Sequence, residues 1–134
     1  MMNNPSATQL TDLQLAVVRA LWEGGECTVS EVQEALLPQR PLAQTTVATL
    51  LSRLEKRGVV IHRVTGRQFV YRAAVTEDDV QRSMVEQLTN MLFEGRPTAL
   101  ISHLLATRDV RPDDLSEVKR LIAEAESRTA LELR

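Results

Sequence analysis

Of the side chains that build disulfides, metal centres and aromatic cores, this 134-residue sequence has few: one Cys, two His and four aromatics. The single Cys27 excludes an internal disulfide and any site that needs several thiolates, and it agrees with a reducing compartment. No apolar run approaches the roughly 20 residues that cross a bilayer, and the start, Met1–Thr8, has neither a basic flank nor an apolar stretch. The expectation is a cytoplasmic protein with no membrane insertion. Gly-rich phosphate loops and His/Asp/Ser constellations are missing too, so no catalytic residue, cofactor or metal is expected. His62 and His103 then read as ordinary strand and helix residues, and Cys27 as a core or linker residue. With aromatics at 3%, the core has to be built from Leu, Val, Ile, Ala and Met.

What the chain does have is the balance of a folded protein, 43% hydrophobic and 25% charged. Its length suits one small domain plus an appended element that needs a partner. A net charge of −2 argues against a polyanionic partner until its distribution is read. From Arg40 to Arg72 there are seven basic residues (Arg40, Arg53, Lys56, Arg57, Arg63, Arg67 and Arg72) and a single acid, Glu55, for a net of +6. From Thr76 to Arg134 the balance is −4. Such asymmetry marks a localised polyanion-binding surface.

Start and stop signals divide the chain. Thr11 with Gln14 forms a capping box opening a first helix over Leu10–Gly25, with Leu10 and Leu15 as a hydrophobic staple, Leu13, Ala16, Val17, Ala20 and Leu21 as its buried stripe and Trp22 closing the core. After a short link through Cys27, Thr28 with Glu31 opens a second helix, about Val29–Leu37, which Pro38 ends. A third runs from about Ala43 to Arg57, with Gly58 as its left-handed cap. The β-branched run Val59–Val64, the turn Thr65-Gly66-Arg67 and the segment Gln68–Ala73 predict a hairpin. Three helices and then a hairpin is the order of a winged helix-turn-helix.

Beyond it, Thr76 with Asp79 predicts a long helix to about Phe93, interrupted by Gly95-Arg96-Pro97. A shorter helix follows over about Thr98–Ala106, and a last one starts at Pro112, with Leu115, Val118, Ile122 and Ala125 in line. The fold class is thus mainly α with a small β-hairpin wing: a winged-helix DNA-binding domain over 9–74 and a helical dimerisation domain over 75–130. The stripe of Val80, Met84, Leu88, Met91 and Leu92, with Leu100, Leu104, Leu115, Val118 and Ile122, is the candidate dimer interface, because a small helical tail has no core of its own in which to bury it.

On a 3.6-residue wheel the third helix places Val47, Leu50, Leu51 and Leu54 on one side and Thr45, Thr49, Ser52 and Lys56 on the other, flanked by Thr46 and Arg53. Thr can reach base edges or phosphates and can set its methyl against thymine, while Arg and Lys meet phosphates. Arg67 stands at the hairpin tip with Arg63 and Arg72 on its strands, so the wing can follow the backbone or enter the minor groove. Threonines on a helix are also common on a plain solvated surface. The basic hairpin that follows at once favours double-stranded operator DNA as the partner. A winged helix serving as a protein-interaction module and a small enzyme are the competing readings.

In these stretches the sequence resembles the penicillinase and methicillin-resistance repressor family, the BlaI/MecI group, from Leu10 to about Arg128. The matching pieces are Leu10-Thr11-Asp12-Leu13-Gln14, Leu21-Trp22, Val29-Ser30-Glu31-Val32, the run Thr45 to Leu54, Lys56-Arg57-Gly58, and Gly66-Arg67 with Tyr71. The resemblance implies a homodimeric repressor on a dyad operator, commonly with TACA and TGTA half-sites, joined through its carboxy-terminal helices. Thr45, Thr46 and Thr49 then match base-reading and phosphate-contacting positions. It also implies derepression by a membrane-bound sensor protease. The Asn–Phe bond cut in antibiotic-responsive members aligns with His103 and Leu104, a candidate cleavage position of altered chemistry. The clustered carboxy-terminal cysteines of copper-responsive members are absent, and so is the basic residue often found near the start of the third helix.

Overall fold

The computed structural model describes residues 8–107 and 109–133. The leader reading concerns Met1–Ala7, which lie outside these. Element order is α1 (Asp12–Gly24), β1 (Cys27–Thr28), α2 (Val29–Leu36), α3 (Gln44–Lys56), β2 (Val60–Thr65), β3 (Gln68–Ala73), α4 (Glu77–Phe93), α5 (Pro97–Thr107) and α6 (Pro112–Glu132). Both expected capping boxes are present: the Thr11 and Thr28 hydroxyls accept from the backbone N–H of Gln14 and Glu31, whose side chains accept in return. Thr76 accepts from the Asp79 N–H at the start of α4. These caps satisfy backbone donors that a helix cannot pair internally.

The core closes where α1, α2 and α3 meet the sheet. Val17, Val18, Leu21, Val32, Val47, Leu51, Leu54, Val59 and Val60 are fully buried. Val18 joins this core beyond the expected stripe, and Leu13 and Ala16 are only partly covered. Trp22 packs against the cluster and donates its Nε1–H to the Val75 carbonyl at 2.9 Å.

The hairpin differs from expectation in two ways. Pairing begins at Val60 and not Val59, because the Val59 N–H is already donated to the Leu54 carbonyl at 3.0 Å, closing the end of α3 around Gly58 (φ +82°). The hairpin also gains a third strand: Cys27 and Thr28 pair with Tyr71 and Val70, giving an antiparallel sheet in the order β1-β3-β2. Two residues carry no periodicity, so this strand has no signature in the sequence. Beyond Val70 the hairpin projects as two strands only.

Cys27 lies buried under the end of α1, and burial pushes its thiol pKa up. A Cβ added at Gly24 would stand 2.5 Å from its Sγ. Gly24→Ala is therefore expected to destabilise the fold by about 1–3 kcal/mol through overpacking. Gly24→Ala combined with Cys27→Ala should recover most of that loss. Thermal unfolding of both variants beside Cys27→Ala checks this, and additive losses would contradict the steric account.

The long helix α4 is divided in its packing. Its first half belongs to the core just described: Val80 is 2% exposed, Met84 packs beside it, and the Ser83 hydroxyl accepts from Thr8 Oγ1 and Gln9 Nε2, both at 2.7 Å. Its second half leaves that core. Val85, Leu88, Met91 and Leu92 are exposed, and α4 ends at Glu94 in the left-handed region (φ 52°) followed by Gly95. The helix α5 folds back on α4, with the Phe93 and His103 rings 5.6 Å apart. Along α6 only Val118 is half-buried, and every other described residue is exposed.

Candidate nucleic-acid interface

The core-facing residues of α3 decide which side it presents outward. With Val47, Leu51 and Leu54 turned inward and fully buried, Thr45, Thr46, Thr49, Ser52, Arg53 and Lys56 are all exposed. The Thr49 hydroxyl donates to the Thr45 carbonyl at 3.0 Å, one helical turn back. Its lone pairs remain available as acceptors. At the start of α3, Ala43 provides no side-chain cap and the first turn carries no acid, so the positive end of the helix dipole is left without a negative neighbour. Gln44 does reach across to the Ser30 hydroxyl of α2, fixing the two helices against each other.

The cations of the basic segment divide into two groups. Arg40 is tied to Asp12 at 2.5 Å, and Arg57 is half-buried, donating to the Gln14 side chain at 3.1 Å and the Gln9 carbonyl at 2.5 Å. Arg63 is held by Glu26, Nε to Oε2 at 2.6 Å, and also donates to the Thr65 hydroxyl. The hydrogen bond between Glu26 and Arg63, together with the charges of Arg63 and Arg72, holds the Glu26 carboxyl below its ordinary pKa, and the same hydrogen bond with the Glu26 charge raises that of Arg63. Among the described residues, Arg53 and Lys56 on α3, Arg72 on β3 and Arg67 at the wing tip, beside Gly66 (φ +63°), stand exposed without an ion pair. The +6 segment therefore presents fewer outward cations than its sequence suggests.

Glu55, the lone acid of that segment, joins α3 to the wing. Its carboxylate meets His62 Nδ1 at 2.6 and 2.7 Å and accepts the His62 backbone N–H at 3.2 Å. The His62 ring in turn stacks on Phe69, centroids 4.1 Å apart and planes 14° from parallel, with Tyr71 at 5.4 Å. Glu26 and Glu55 are the residues that sequence reasoning passed over. Glu55 had a visible signal, an isolated acid among seven bases; Glu26 had none.

The profile of the penicillinase repressor family matches residues 10–124. The chain belongs to that family. The transcriptional regulator BlaI of Mycobacterium tuberculosis is 35% identical over 122 residues, covering 90% of this chain and 87% of the relative. The penicillinase repressor of Bacillus licheniformis is 24% identical over 120 residues, 90% of this chain and 94% of the relative. A solution structure of the DNA-binding domain of the repressor BlaI is 31% identical, with a TM-score of 0.50 over 58% of this chain and 93% of that one. As a BlaI/MecI-type protein the chain is a transcriptional repressor built on a winged helix, and no helix among the described residues is long and apolar enough to cross a membrane.

Leu88, Met91, Leu92, Leu104, Leu115 and Ile122 stand exposed, and Leu100 and Val118 are half-covered. Val80 departs from expectation: buried in the chain's own core, it has no surface to offer a partner. Met84, half-buried against the same core, is largely withdrawn too. His103 and Leu104 lie within the helical turns of α5.

Proposed function

We propose that this chain is a homodimer that binds a two-fold-symmetric operator, each subunit setting α3 in the major groove and its wing against the flanking backbone. The observation that carries this reading is the outer face of α3, where Thr45, Thr46, Thr49 and Ser52 lie between an uncapped helix start and the cations Arg53 and Lys56. Hydroxyls toward the amino end suit base edges and phosphates, and cations toward the carboxy end suit the backbone. The related solved domain is a DNA-binding domain by description, which supports the same assignment.

The tail supports dimerisation on separate grounds. Isolated helices are marginal in water, and α6 runs for 21 residues with none buried. Its Arg120 bridges Glu117 and Glu124, which stabilises one face while leaving Leu121 and Ile122 exposed. A second copy supplies the missing cover, with residues 75–130 as the dimerisation unit and the first half of α4 shared with the winged domain of 9–74. In this reading the protein works in the cytoplasm. A sensor protease acting between His103 and Leu104 has to unwind α5 first, so cleavage there is slow unless the sensor or a loosened tail opens the helix.

Fluorescence anisotropy on promoter DNA upstream of its own gene tests the reading, and absence of salt-sensitive binding at micromolar protein would sink it. The same titration separates the wing arginines. Arg67→Gln is expected to lower the salt dependence by about one phosphate contact per subunit, whereas Arg63→Gln changes it little because Glu26 already holds that guanidinium.

A further inference from the structure

The wing carries apolar surface that the described chain leaves partly open. Val64 and Phe69 are cross-strand partners, so their side chains share one face of the hairpin, the same face as His62 and Tyr71. They sit beyond the point where β1 stops, on the two-stranded projection, 60% and 46% exposed. We propose that this pair forms an apolar pad that packs against the deoxyribose wall of operator DNA, beside the phosphate met by Arg67; the proposal rests on the DNA-binding reading above.

Charge and rigidity select this occupant. From Arg63 to Arg72 the hairpin has no acid, and the nearby carboxylates of Glu26 and Glu55 are engaged by Arg63 and His62. A pad with Arg67 at its edge and Glu26 paired with Arg63 fits a surface that combines sugar carbons with phosphate oxygens. Phe69 is held flat on His62, and His62 is pinned to Glu55 at the end of α3. The ring is thereby fixed relative to the helix that would enter the major groove, so little side-chain freedom is lost on contact.

Apolar contact removes area from water without displacing counterions, which gives the pad a signature distinct from that of the arginines. The full-length protein would be titrated against labelled duplex from its own promoter at several salt concentrations, with Val64→Ser, Phe69→Ala, Phe69→Leu and Arg67→Ala. Val64→Ser and Phe69→Ala are expected to weaken binding about tenfold at every salt concentration with the slope unchanged, Phe69→Leu less. Arg67→Ala should instead flatten the slope by about two contacts per dimer. Val64 lies outside the core, so its variant tests the pad even if Phe69→Ala loosens the wing. Wild-type affinity for Val64→Ser would overturn the proposal, as would a loss accompanied by a flattened slope. A changed elution volume of the free Val64→Ser protein would assign the pad to a protein contact and overturn it equally. If the wild-type chain shows no salt-sensitive binding, the DNA-binding reading fails first, and that result is separate from any difference among the wing variants.

Discussion

Leu92→Asp combined with Ile122→Asp is expected to yield a folded monomer whose operator affinity is lower by a factor of about 10² to 10³. Both residues are more than half exposed and neither touches the core formed by α1, α2, α3 and the sheet. Their replacement should therefore leave the thermal unfolding of the winged domain nearly unchanged. What the variant loses is linkage. In a dimer the second half-site contact is intramolecular, and its effective concentration multiplies the affinity of the first. Light scattering would report the mass of one chain, and anisotropy would report binding close to that of a half-site duplex. A stable dimer with full operator affinity would place the interface elsewhere on the molecule.

The second large effect is electrostatic. Arg53→Gln, Lys56→Gln and Arg67→Gln together remove three exposed cations from each subunit and six from the dimer. With a slope of about −0.9 per neutralised phosphate, the dependence of log K on log salt should flatten by about five. Near physiological salt the affinity should fall by at least about 10³, and the deficit should widen as salt is lowered. None of the three side chains is in an ion pair among the described residues, so the fold should persist. Arg40→Gln, Arg57→Gln and Arg63→Gln remove the same formal charge, yet their guanidinium groups are engaged by Asp12, by Gln14 with the Gln9 carbonyl, and by Glu26. That triple variant should lose stability more than salt dependence. Equal flattening by the two sets would show that the internal pairs open on DNA.

That contrast also shows where sequence reading stops. Local signals were enough for the helices, because Thr11 with Gln14, Thr28 with Glu31 and Thr76 with Asp79 act over three residues. The outer face of α3 followed from the spacing of Val47, Leu51 and Leu54. The sorting of cations did not, since the partners of Arg40, Arg57 and Arg63 lie 28, 43 and 37 residues away. For the same reason the β1 pairing with Tyr71 and Val70 was out of reach. The apolar stripe of α4 was legible as a stripe, but its division between Val80 inside and Leu92 outside depends on how far the winged domain extends along the helix.

That division has a consequence for how such repressors diverge. One helix is clamped at its start by Val80, Ser83 and the Thr8–Gln9 strap and emerges at its end among the exposed residues proposed for dimerisation. It acts as the arm of a pair of callipers, about 20 Å from Val80 to Phe93 at 1.5 Å per residue. In the proposed dimer, letters of the operator would be set by α3, and the gap between its two words by α4. Substitutions along the middle of the arm can retune that gap while the reading face keeps its spelling, so spacing and vocabulary are free to evolve independently.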